Sequence, residues 1–123
     1  MLPSRLAPRI ASINPLQPGH TLVVPVEEVD HWVDLDPAQV SHLMAVAQHV
    51  GRAQQAAFGT ERIGVIIAGF EVPHTHVHVI PMDDMGGLDF RNAAASVSVD
   101  ELTAAADRIR AELRRAGHGE VAD

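Results

Sequence analysis

His74, His76 and His78 alternate with Thr75, Val77 and Val79 inside the stretch Glu71-Val72-Pro73-His74-Thr75-His76-Val77-His78-Val79-Ile80-Pro81. The chain holds eight His in 123 residues, so three in alternation would arise by chance roughly 0.03 times. Alternation with Thr, Val and Ile in the gaps predicts a β-strand over 74–80. Side chains at i, i+2 and i+4 share one face of a strand, about 7 Å apart, so the three imidazoles project together. Thr75, Val77 and Val79 point to the other face and are expected to be buried.

Three chemistries compete for such a row. Imidazole is a common metal ligand, but on a straight strand the first and third rings lie about 14 Å apart. One ion could then take two of them and would need a further ligand, such as Asp83 or Asp84. The second chemistry is attack at phosphorus. A neutral imidazole can form a phosphoramidate and so split one difficult displacement into two easier ones. That requires one ring with its tautomer fixed and neighbouring donors where charge develops on the phosphoryl oxygens. Crowded rings disfavour each other's cations, which keeps a nucleophilic imidazole neutral. The third is a strand with a merely wet polar face, for which three histidines are a costly choice.

The rest of the chain bounds the possibilities. Its length suits a single domain over 1–123 with a hydrophobic core of its own. Cysteine is absent, which excludes disulfides and thiolate metal sites. All nine basic residues are Arg, so a Walker-type phosphate loop and a lysine Schiff base are excluded. The formal charge of −7 argues against a nucleic-acid surface. No apolar run suits a membrane span and the N-terminus has no signal-peptide pattern, so a cytoplasmic protein is expected.

The elements that must position the histidines can be placed in order. A short strand is expected at Ile10-Ala11-Ser12-Ile13, then turn chemistry over Asn14-Pro15-Leu16-Gln17-Pro18-Gly19. His20-Thr21-Leu22-Val23-Val24 reads as a buried strand ended by Pro25. An acidic loop or helical turn follows through Glu27, Glu28 and Asp30, with Trp32 expected to cap the core. Asp36-Pro37 starts a long helix ending at Gly59, with Val40, Leu43, Met44, Ala47, Val50, Ala57 and Phe58 near one stripe. His42 and His49 lie off that stripe and are expected in solvent.

Arg62 to Ala68 reads as a central strand covered on both faces, antiparallel to the histidine strand across a tight link. Met82 to Ala95 is expected to be a polar loop. Ser98-Val99-Asp100-Glu101 opens a second helix, with Leu102, Ala105, Ala106, Ile109 and Leu113 on its stripe. Arg108, Arg110, Arg114 and Arg115 crowd its C-terminal half, where cations suit the helix dipole. Residues 117–123 read as a frayed tail.

The segment His74-Thr75-His76-Val77-His78-Val79-Ile80 resembles the motif His-φ-His-φ-His-φ-φ of the histidine triad (HIT) nucleotide hydrolases and transferases. Asn14 to Pro25 is similar to that family's first long strand and its turn. The Asp36-Pro37 helix start and Glu71-Val72-Pro73 before the triad fit it too, so roughly residues 10–85 are covered. The resemblance implies an α+β fold whose antiparallel sheet continues across a homodimer. It also implies hydrolysis or transfer of a nucleoside monophosphate from a conjugate such as AMP-X, with no metal or other cofactor.

In the family the middle histidine is the nucleophile, which falls on His76. His78 would bond the phosphate or leaving group, and His74 would belong to the supporting network. The other functions in play are a nucleotide-binding regulatory dimer with little catalysis and a histidine-ligated metalloprotein. The chain departs from the family in four places, the first being an N-terminal part shorter than usual, with no counterpart expected for the family's N-terminal helix, strand and zinc-binding cysteines. Glu28 stands where a further histidine is usual after the first strand. Ser12 stands where an acidic ribose-binding residue is common, and the loop before the triad is cut to Ala68-Gly69-Phe70.

Overall fold

The clearest local signals become the longest element. α1 spans Pro37–Phe58, with Pro37 in its first turn and the Asp36 N–H donating to Gln39 Oε1 at 3.0 Å. Gly59 closes it in the left-handed conformation, φ 63°, which costs a residue without Cβ nothing. The computed structural model describes residues 6–10, 16–70, 72–89, 91 and 98–117. Four strands, β1 (Leu6–Ile10), β2 (Thr21–Pro25), β3 (Arg62–Ile66) and β4 (Val77–Met82), form one antiparallel sheet in the order β1-β2-β4-β3. A second helix, α2 (Val99–Arg115), begins where Ser98 Oγ accepts from the Glu101 N–H. The fold is α+β.

One face of the sheet packs on α1, and α2 packs on α1 in turn. Val23, Val77 and Val79 from the strands meet Leu43, Val46, Ala47, Val50 and Ala53 of α1, and Ile109 and Leu113 of α2 complete the cluster. Side chains alternate along a strand, so the neighbours of Val77 and Val79 face away from α1. That opposite face carries the histidines.

Several expectations shift. β1 covers Leu6–Ile10, so of the strand expected at Ile10 to Ile13 only Ile10 falls among the described residues, and β1 includes Pro8, which an edge strand tolerates because one side of its backbone needs no donor. Residues 11–15 and 118–123 lie outside the described residues. β3 is an edge strand rather than a central one, half-buried, with Val65 41% exposed. An apolar run cannot report whether a second strand will pair with its far side. Met82 to Ala95 is not wholly a loop, since Met85–Leu88 forms a 3-10 turn folded back on the sheet. Gly87 is buried there, and a Cβ on Gly64 would fall 2.8 Å from Leu88 Cδ2.

Trp32 does not cap the core. It is 40% exposed in a short 3-10 turn, and Leu35 fills the core in its place. Met44 leaves the buried stripe and lines a recess of about 680 Å³ between α1 and β3. His42 and His49 are half-buried instead of solvated. The side of α1 carrying His49 is partly covered by Glu112 and Arg115 of α2, which a helical wheel of α1 alone does not show.

The two helices are also joined at one end. Arg108 of α2 donates to the Ala57 carbonyl, one of the acceptors a helix C-terminus leaves over, and its guanidinium stacks 4.6 Å from the Phe58 ring centre. Phe58 in turn fills the space beside Gly19, which sits at φ +86°. A Cβ on Gly19 would stand 2.4 Å from Phe58 Cε2. Gly19→Ala is therefore expected to lose about 1–3 kcal/mol of stability in urea unfolding, from the ring clash and the disfavoured φ together.

Candidate active site

The alternation of the three histidines survives, but the strand beneath them starts late. Burial alternates from His74 to Val79, with Thr75, Val77 and Val79 sealed and the three imidazoles half-buried. β4 begins only at Val77. Before it, the His74 N–H closes a tight turn onto Val72 O at 2.8 Å, behind Pro73, which has no N–H to give. Thr75 then docks on the loop after β2, its N–H and its hydroxyl both donating to Val29 O at 2.7 Å. His74 and His76 thus sit on a stapled bend and His78 on the sheet. The His76 and His78 rings lean together, their centres 4.9 Å apart with 70° between planes.

A fourth histidine completes the group. His20 is 1% exposed at the entry to β2, and its Nε2 lies 2.8 Å from His78 Nδ1. Register explains the meeting: β2 and β4 are neighbours, with Leu22 opposite His78 and Thr21 opposite Val79. The histidine that joins the triad therefore precedes the first long strand, while Glu28 beyond it is exposed. By its sequence alone His20 reads as one more residue of a buried strand. A titratable ring at the mouth of an otherwise apolar run was the available signal.

Backbone partners fix the tautomers. The Leu16 N–H can only donate, and it donates to His20 Nδ1 at 3.1 Å, so a neutral His20 carries its proton on Nε2. That Nε2–H donates to His78 Nδ1, which leaves His78 with its own proton on Nε2, a donor. The His74 carbonyl can only accept, and it accepts from His76 Nδ1–H at 2.8 Å. His76 Nε2 is left with a lone pair. His74 donates from Nε2 to Pro25 O at 2.7 Å, anchoring the bend to the end of β2. One ring presents a lone pair and its neighbour presents an N–H.

The network requires neutral rings. Burial lowers His20 to about 4, with the nearby His78 ring adding to it. Burial likewise lowers His78 to about 4, with His76 the second cause. Protonating His78 at Nδ1 would also set two donors face to face. Unfolded histidines take up protons near 6.5, the folded pair near 4. Between those values the unfolded chain binds more protons, so this contribution is whole above 6.5 and is lost as pH falls towards 4. Tm is expected to drop across that window, and an NMR titration should find both rings still neutral at about pH 5. Midpoints near the ordinary histidine value would contradict the network.

Among the described residues, no group of three His, Asp or Glu is placed to hold a metal ion. Asp83 and Asp84 are used elsewhere, Asp83 accepting from the Glu61 N–H and Asp84 from the Gly86 N–H. No described helix is long and apolar enough to cross a membrane. Ser12 lies outside the described residues.

A bis(5'-nucleosyl)-tetraphosphatase of Schizosaccharomyces pombe is 32% identical over 83 residues, 63% of this chain and 46% of that protein. A bifunctional bis(5'-adenosyl)-triphosphatase/adenylylsulfatase of Arabidopsis thaliana is 31% identical over 111 residues, 86% of this chain and 57% of that protein. The chain thus spans about half the length of these curated relatives. A zinc-bound histidine triad family protein from Mycobacterium smegmatis superimposes with a TM-score of 0.75 at 25% identity, covering 93% of this chain and 81% of its own. The sequence model of the HIT domain matches residues 5–85, and the chain belongs to the histidine triad family.

Proposed function

We propose that this protein is a nucleotidyl hydrolase or transferase that cleaves nucleoside monophosphate conjugates through a covalent intermediate on His76. The observation that carries this is the pairing of a His76 Nε2 lone pair with an Nε2–H on His78, in rings 4.9 Å apart. Nε2 attacks the phosphorus; an N–P bond forms as the bond to the leaving group breaks. His78 donates to a phosphoryl or leaving-group oxygen, where negative charge grows. Water, or another acceptor, then attacks the same phosphorus and frees His76. His74 holds the bend that aims the nucleophile. The relatives named as dinucleoside tetraphosphatase and triphosphatase point to a dinucleoside polyphosphate or a similar AMP-X compound as substrate.

We propose further that two copies pair as a homodimer with joined sheets. β3 has one hydrogen-bonded neighbour, and Val65 and Met44 leave an apolar margin beside the recess against α1. The chemistry is tested by trapping. Rapid mixing with a dinucleoside polyphosphate and an alkaline denaturing quench, which spares the acid-labile N–P bond, should give a peptide heavier by one nucleoside monophosphate at His76. A label on another residue, or turnover with no adduct at any time, would overturn the mechanism.

A further inference from the structure

Among the described residues, Gln54 is the one amide side chain set among the apolar contacts between α1 and the sheet, and it is 0% exposed. It stands on the same helical stripe as Leu43, Ala47 and Val50, where leucine or methionine would fill similar space with no polar group to satisfy. Its Nε2 lies 2.9 Å from Gly19 O, 2.9 Å from Val79 O and 3.2 Å from Thr21 Oγ1. Its Oε1 is buried with no hydrogen-bond partner among the described residues. An amide that leaves its oxygen unmet is a poor choice for stability alone.

The acceptors explain the choice. Gly19 and Thr21 flank His20, and Val79 follows His78. One nitrogen therefore holds the backbone on both sides of the hydrogen bond that sets the His78 tautomer. His20 precedes β2 and is held from its N-terminal side, its N–H donating to Gln17 O at 3.1 Å and its Nδ1 accepting from the Leu16 N–H; the Gly19 carbonyl, which also accepts from Thr21 Oγ1 at 2.8 Å, ties the same segment to α1.

We propose that Gln54 is a positioning residue: its amide sets the separation of the segments bearing His20 and His78, and through it the N–H that His78 turns to the substrate. The inference deepens the proposed function and rests on it for its kinetic consequence, though its structural claim does not. Gln54 touches no substrate and acts through the two rings.

The test uses the full chain and the variants Gln54→Met and Gln54→Leu, which keep the volume and remove the donor. Side-chain nitrogen NMR of the free protein reads the histidine tautomers without any substrate. In native protein His78 is expected as a single Nε2–H tautomer, and in a folded variant as a mixture. With a dinucleoside polyphosphate, kcat should fall about 10- to 100-fold while KM stays within about twofold. A folded variant whose His78 keeps the single tautomer would overturn the proposal, as would loss of folding in both variants, which would assign the amide to folding alone. A tautomer mixture in the variants, together with native protein that never cleaves nucleotides, would sink the enzymatic reading and leave the positioning role standing.

Discussion

Replacing His76 by alanine is expected to lower kcat by about 10⁴-fold or more while the fold survives. The magnitude follows from removing the atom on which the first step is built, since nucleophile removals in covalent catalysis cost on this scale. The fold should tolerate it because His76 is half-buried on the face away from α1, and its Nδ1–H donates only locally, to the carbonyl two residues back. His76→Gly should behave alike. The measurement is steady-state release of nucleoside monophosphate, with Tm as the control on folding. Turnover that stays within about tenfold of native would remove His76 from the chemistry.

His20→Phe is the second large effect, and it arises without any contact with substrate. A phenyl ring keeps the size and removes both nitrogens. The Leu16 N–H then loses its acceptor, and His78 Nδ1 loses the donor that kept it unprotonated. His78 becomes free to place its proton on Nδ1 and turn a lone pair towards the oxygen it should be stabilising. Wrong-tautomer and lost-donor effects of this kind cost about 10² to 10⁴ in kcat, and KM should hardly move. A mixed-tautomer signal from His78 should accompany the loss. Native kcat in this variant would show that His78 does not need His20 to choose its donor.

Much of the site was legible because its signals are local. The alternation of His74, His76 and His78 with β-prone residues named the right face, and the caps at Asp36-Pro37 and Gly59 placed the long helix to the residue. What escaped depended on contacts between distant segments. His20 meets His78 only because β2 and β4 are neighbours in register, a pairing that no spacing in the chain encodes. The late start of β4 follows from Thr75 choosing Val29 as its partner, 46 positions away. β3 looked central because its residues are apolar, yet its rank in the sheet depends on pairing order. Gln54 was visible in principle: a polar residue in phase with Leu43, Ala47 and Val50 breaks the apolar stripe, and such a break is worth reading as a feature.

The contact of Arg108 with the end of α1 reaches further than a helix cap. The HIT domain match ends at residue 85, and α2 begins at Val99, so the brace comes from chain outside the shared motif. From Arg108 the line of contact runs through Phe58 to Gly19, and the next residue is His20. An appendage can thus govern how stiffly the imidazole cluster is seated while every reacting group stays the same. Relatives that carry the same triad with a different tail would differ in the rigidity of its foundations.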